Sequence, residues 1–373
     1  AMSRAREFAD LAGSADAGGL TGRNLIINGA MQVAQRGDQS SLTSGYTGVD
    51  RFTFTRTGAA VVTGKQAGAS DSPQSNGFGA SLEIDITTAD SSLAAGDFAL
   101  VRQIIEGQNL QGLKYGTSSA ENVALSFWVK SPKTGTHIVE LYHYDGNVFN
   151  SQAYTVNSAN TWEHKTLSFV GYQTTATAND NTQGMLVQWW LSAGSTYSGG
   201  TLASNTWHTT TANRAVGQVN VTDSTSNNFY LTGVQLEVGE QATPFEHRSV
   251  ADELARCQRY AYMIGDPVNS GQRDIVNNGV AFGTTTGYFA IPFPCTMRTE
   301  PSLTVNNGSY FRLHSTSGGG LGVTAVAIDS GDTTERMAFI NATSSGLTAG
   351  QGTLMVTSDS SNNGGTLLFS AEL

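Results

Sequence analysis

Cysteine is all but absent from this chain: Cys257 and Cys295 are the only two among 373 residues, too few for a disulfide framework or a metal knuckle. Each is read as a small apolar side chain, with a bridge between them as the minor alternative. Charge is scarce as well, at 13% against the ~25% usual in soluble domains. The 20 bases and 30 acids leave a net charge of −10, and no stripe of Lys and Arg is present, so nucleic acid is excluded as a general partner. No run approaches the ~20 apolar residues of a membrane span, so no membrane insertion is expected. The opening AMSRAREFADLAG has no apolar stretch of the kind a secretory signal peptide needs.

Catalytic signatures are missing too. No HExxH, GxSxG elbow, Walker A loop or GxGxxG in a βαβ setting occurs. Glycan cleavage would need two carboxyls about 5–9.5 Å apart in a cleft. Glu83 and Asp85 share a strand face, and Glu140, Asp145 and Glu163 lie near aromatics, but among 30 acids chance pairs are expected. The chain is therefore read as not an enzyme, without a cofactor. A structural calcium between the first and last strands of a sandwich is conceivable, with Asn28, Asp50, Glu237 and Glu246 nearest, but their spacing is not diagnostic.

What is present is Gly, Thr, Ser and Asn throughout, with 39% hydrophobic residues to build a core. Runs of Ala, Leu, Glu and Lys that would make a helical bundle are lacking. The fold class is all-β. At this length two domains are expected, here two jelly-roll-like β-sandwiches joined by a short α-helix. Residues 1–22 read as an N-terminal helix (SRAREFADLA) and a flexible arm, and 23–247 as the first sandwich. Its strands are read from NLIINGAMQVAQ, RFTFTRT, SLEIDIT, NVALSFWVK, THIVELYHY, WEHKTLSFV, GMLVQWWLSA and NNFYLTGVQLEVG. A connecting helix spans 248–264, with Val250, Leu254, Cys257 and Ala261 on one face. The second sandwich covers 265–373, where Leu367 and Phe369 share a face that should pack inward.

The candidate binding residues are aromatic. Trp189 and Trp190 are adjacent on a strand, so they face opposite ways, and one can fill the core while the other reaches a concave face. With Tyr142 and Tyr144 they are the expected glycan contacts, since flat rings stack on sugars and amides bind hydroxyls. Trp128, Trp162 and Trp207 widen that set; core filling is the competing reading for each. His137 and His143 share the other face of THIVELYHY with Val139 and Leu141, as ligand-facing groups or as ordinary strand histidines.

Three segments resemble bacteriophage tail-fibre and head-spike proteins. They are NLIINGAMQVAQRG (24–37) followed by VDRF (49–52), FYLTGVQLEVGEQATPFEHRSVADELARCQRY (229–260), and FPCTMRTEPSLTV (293–305) with the final FSAEL. The leading SRAREFADLA is similar to the family's short virion-anchoring leaders. The resemblance implies a carbohydrate-binding-module-like jelly roll and a homotrimeric adhesin on the virion surface. It implies a bacterial surface polysaccharide (capsule or lipopolysaccharide) as partner, and other virion proteins as partners of the N-terminal arm. It also implies synthesis in the host cytoplasm without a signal peptide. A decoration protein that stabilises capsid or fibre without a receptor is the structural alternative, and a polysaccharide depolymerase the enzymatic one.

Overall fold

The computed structural model describes residues 22–265, 274–315, 320–357 and 364–373. The expected N-terminal helix at 3–12, and all but Gly22 of the expected arm, lie outside the described residues. The chain divides into two compact units. The first takes in the residues up to Ala34, Asp38–Val250 and Leu373; the second takes in Gln35–Gly37 and Ala251–Glu372.

The first unit is a sandwich of twelve strands. They are β1 (Gln39–Leu42), β2 (Ser44–Tyr46), β3 (Phe52–Thr57), β4 (Val61–Ala67), β5 (Ser81–Thr88), β6 (Phe98–Glu106), β7 (Val123–Lys130), β8 (Gly135–His143), β9 (Val148–Val156), β10 (Glu163–Phe169), β11 (Gln183–Ala193) and β12 (Asn228–Val238). One antiparallel sheet runs in the order β1-β4-β5-β12-β7-β10, the other β2-β3-β6-β11-β8-β9. Alternation on each strand sends one set of side chains inward. Leu82, Ile84, Leu125, Phe127 and Phe229 from the first sheet meet Phe54, Val101, Val139, Val187 and Trp189 from the second in one core. Trp189 stands edge-on to Phe127, with ring centroids 5.6 Å apart.

The segment NLIINGAMQVAQ, expected as a strand, is not one. Asn28 Nδ2 donates to Val33 O at 2.8 Å, Asn28 Oδ1 accepts from Val33 N, and Asn28 and Met31 both have positive φ. Side-chain amides that satisfy nearby backbone groups compete with a ladder and turn the chain. The segment is tied to β12 at a bulge, where Gly233 adopts φ +61° and Val234 N donates to Gly29 O. A Cβ on Gly233 would lie 2.7 Å from the Phe78 ring, so the bulge requires glycine.

The second unit corrects the expectation of another sandwich. Its strands are β13 (Ala261–Ile264), β14 (Ile275–Ala281), β15 (Thr286–Pro292), β16 (Ser302–Val305), β17 (Phe311–Ser315), β18 (Gly320–Ile328), β19 (Met337–Ser344), β20 (Gly352–Thr357) and β21 (Leu367–Ser370). Six of them close into a barrel, β14-β15-β19-β18-β17-β20, and three form a sheet, β13-β21-β16. Alternating patterns specify which face is buried, but closure depends on the β14–β20 pairing, between strands far apart in the chain. The interior is lined by Phe289, Ile291, Phe311, Leu313, Ile340 and Met355, with Leu367 and Phe369 buried against the same cluster.

The helix is shorter than expected. Helix α1 covers Val250–Gln258, and Ala261–Ile264 is already strand, paired with β21. Its buried positions are Glu253 and Cys257, whereas Val250 is 55% exposed, so the apolar face read from the sequence is not buried as a whole. Cys257 and Cys295 are both free thiols.

Candidate functional site

The outer face of the sheet β2-β3-β6-β11-β8-β9 carries the arrangement with most chemistry. Register sets Tyr46, Thr53, Arg102, Gln188, Glu140 and Ser151 side by side, one residue from each strand in turn. Opposed residues of an antiparallel pair project to the same face, so these six form a polar row across the whole sheet. Glu140 is its anchor. Arg214 forks onto it through Nε and Nη2, with Nη2 at 2.7 Å from Oε1, while Gln188 Nε2 and Ser151 Oγ donate at 2.8 and 2.9 Å. The carboxylate is fully buried, and a buried charge is tolerated only with such a complete set of partners.

Arg214 comes from the long connection between β11 and β12, which crosses this face. The connection is held down by Gly194 N to Asp97 O and Val219 N to Thr136 O, and is braced within itself by Ala215 N to Tyr197 O. It packs Tyr197, Leu202 and Ala215 over Trp190, Leu100 and Ile138 as a small second core. The Arg214 guanidinium lies 3.8 Å from the centroid of Phe149 and 5.2 Å from that of Trp190.

Beside this cover lies a pocket of about 190 Å³. Its apolar wall is Phe98, Leu100, Tyr142, Trp190 and Tyr197; its polar groups are Thr55, Arg102, Gln188 and Arg214. No carboxylate lines it among the described residues. Phe98, Trp190 and Tyr197 pack on one another at 5.4–6.3 Å between centroids. Trp190 Nε1 has no hydrogen-bond partner among the described residues. Arg102 is half-buried. Its Nε donates to Thr53 Oγ1 at 3.3 Å, and its terminal nitrogens have no partner among the described residues. Burial draws its pKa below the ordinary arginine value, an effect opposed by the Tyr46 phenol.

The four aromatics expected as glycan contacts are dispersed by this arrangement. Trp189 is fully buried in the main core and reaches no surface. Trp190 does face the other way, but the β11–β12 connection leaves it only 1% exposed, as a wall of the pocket. Tyr142 lines the same pocket and donates its hydroxyl to Asn147 Oδ1 at 3.0 Å. Tyr144 is 47% exposed, its ring 6.0 Å from that of Tyr142. Trp128 and Trp162 belong elsewhere: Trp128 packs tilted against His164, and Trp162 meets Tyr230 edge-on. Trp207 donates to Val170 O and packs on Tyr115 and Tyr172.

The two strand histidines are core residues. His137 Nε2 bonds Lys133 O and its ring stacks on Tyr154, leaving Nδ1 buried without a partner. His143 Nδ1 accepts from Gly146 N, so its proton sits on Nε2, which meets Thr177 Oγ1 at 2.9 Å. Burial lowers the pKa of both. The calcium candidates are otherwise engaged: Glu237 accepts from Gln235 and Thr243, and Glu246 from Asn24 N. Among the described residues no three His, Cys, Asp or Glu side chains are grouped to hold a metal.

Sequence reasoning missed Arg102, Gln188 and Arg214. The signal for the first two was their setting: Arg102 sits inside FALVRQIIE and Gln188 inside GMLVQWWLSA, each a polar residue in a mostly apolar strand. Arg214 had no local signal, because only the tertiary fold brings it to Glu140.

Fold and site together describe a β-sandwich with a small aromatic pocket on the outer face of one sheet. No protein-family model and no curated protein sequence matches the chain. Solved structures similar to part of it include the enzymatically active domain of tailspike protein 4 from bacteriophage CBA120, at 16% identity and TM-score 0.32. That match covers 58% of this chain and 21% of the tailspike chain. A family 11 carbohydrate-binding module from Clostridium thermocellum is 12% identical with TM-score 0.28, over 56% of this chain and 98% of the module. A putative sugar-binding protein from Bacteroides thetaiotaomicron is 11% identical with TM-score 0.31, over 58% and 100%. At these scores the reading of the site rests on its own geometry.

Proposed function

We propose that this protein is a carbohydrate-binding adhesin of a virus particle, which holds a bacterial surface polysaccharide in the pocket formed by Tyr142, Trp190, Tyr197 and Arg102. The observation that carries the reading is the pocket itself: aromatic walls against which a sugar ring packs, beside amide and guanidinium groups aimed at hydroxyls. Its volume of about 190 Å³ is below the ~300–1,000 Å³ of pockets for drug-sized ligands, which fits one sugar residue. Contact with a single sugar is weak. A trimer on the particle, repeated over many copies, would multiply it through effective concentration. The resemblance of 24–37, 229–260 and 293–305 to tail-fibre and head-spike proteins supplies the virion setting, and the low-charge, hydroxyl-rich composition suits an extracellular surface.

Binding rather than cleavage is supported by the carboxylates. Glu140 is the acid of the polar row, and both its oxygens are held by Arg214, Gln188 and Ser151, so it is not presented to a substrate in the pocket. Hydrolysis of a glycan needs a second carboxyl across the bond.

The test is adsorption of the purified chain to host cells before and after removal of capsule or lipopolysaccharide. Binding that disappears with the glycan, and that falls at least tenfold in Tyr142→Ala, supports the reading. Release of reducing ends would replace it with a depolymerase. Tight capsid binding without any cell binding would replace it with a decoration protein.

A further inference from the structure

The pocket carries a cation that the protein leaves unanswered. Two arginines line it, and they are not equivalent. Arg214 is neutralised by Glu140 in a bidentate pair. Arg102 has a single hydrogen bond, from Nε to Thr53, and no carboxylate among the described residues pairs with it. Its terminal nitrogens are not among the sealed polar atoms that lack a partner, so they are open to solvent and within reach of a ligand. Gln188 spends its amide nitrogen on Glu140. The pocket is thus left with one positive charge in excess.

We infer that the sugar this pocket takes is an acidic one, a residue bearing a carboxylate, and that the planar fork of Arg102 receives that carboxylate while Tyr142 and Tyr197, the part-exposed aromatics of the wall, flank the ring. The inference rests on the reading of the pocket as a saccharide site. A guanidinium with both terminal nitrogens free matches the two oxygens of a carboxylate in parallel. One excess positive charge balances one carboxylate, whereas a phosphate monoester would bring about −1.5 to −2. The walls add selectivity against a free small anion, because their aromatic faces are matched only by a ring.

Calorimetric titration of the full chain with a panel of monosaccharide acids (glucuronate, galacturonate, N-acetylneuraminate), each beside its carboxyl-reduced neutral counterpart, tests this. At least one acid should bind ten times or more tighter than its neutral counterpart, with the gap narrowing as salt is raised. Arg102→Gln should abolish the gap. Arg102→Lys, which keeps the charge and loses the fork, should retain part of it. Circular dichroism of each variant confirms that the sandwich is intact, and the salt dependence of the unaltered chain stands even if a variant misfolds. Equal binding of acid and neutral sugar overturns the acidic preference and leaves the saccharide reading standing. Glucose 6-phosphate preferred over every acid overturns it in favour of a phosphorylated sugar. Silence towards acids and neutral sugars alike overturns both readings.

Discussion

The sandwich and the barrel are both built from short antiparallel strands, yet they treat their outward faces in opposite ways. On the sandwich sheet β2-β3-β6-β11-β8-β9, outward residues such as Leu100, Ile138, Glu140 and Trp190 are buried. The β11–β12 connection has folded over them and delivered Arg214. On the barrel, register aligns Val280 with Tyr288 and Met337 with Pro292. There Phe282 is 74% exposed, Val280 43% and Met337 38%, with Tyr288 stacked on Phe339 at 5.2 Å. An outward apolar row is therefore a core in one unit and a surface in the other. The difference comes from the length of the connection that follows each strand, not from the strands.

Substitutions on the two faces should differ accordingly. Trp190→Ala removes a large side chain from a covered cluster and should lower unfolding free energy by about 3–5 kcal/mol in a denaturant titration. A cost below about 1 kcal/mol would mean that the connection does not hold its cover in solution.

The buried histidines of the sandwich give the next effect. Their pKa values are depressed by burial, so the unfolded chain takes up protons first. Stability from this source is full above about pH 6.5 and declines as pH falls below it, toward the lower folded values. The thermal midpoint should drop from pH 7 to 5 in the unaltered chain and drop less in His137→Gln/His143→Gln; parallel curves would refute it.

At lower pH the edge strand β10 contributes. Burial pushes the Glu163 carboxyl up, but Lys165 and the Ser158 and Asn157 groups outweigh this and hold it at about 2. The stabilisation it gives is present above about pH 4.5 and is lost as pH falls toward 2, so Glu163→Gln should flatten that part of the acid titration. The smallest effect belongs to the barrel face. Phe282→Ala should change stability by no more than about 0.5 kcal/mol, as exposed positions do. A loss as large as that of Trp190→Ala would erase the contrast between the two units.

Much of this was legible before the fold was known, and the limits have identifiable causes. Period-two alternation marked the half-buried strand of Phe52 and Phe54 and put Leu367 and Phe369 on an inward face, and all four are buried. The opposite facing of Trp189 and Trp190 followed from adjacency alone. What alternation does not carry is whether an outward residue is later covered, and so Trp190, expected to reach a concave face, is left 1% exposed beneath the β11–β12 connection. Asparagine misled as well: Asn24 and Asn28 sit in an apolar stretch that reads as a strand, but their amides bond the backbone and turn it. Barrel closure and the Glu140–Arg214 pair join residues far apart in the chain, beyond the reach of local pattern.

All five tryptophans, at 128, 162, 189, 190 and 207, fall in the first unit, and the barrel has none. Indole emission therefore comes from the sandwich alone, while the barrel contributes only phenol rings and backbone ellipticity. During heating or chemical denaturation the fluorescence trace follows one unit and the far-ultraviolet signal follows both. Whether the two traces coincide reads directly whether the units melt together, with no label attached and no residue changed.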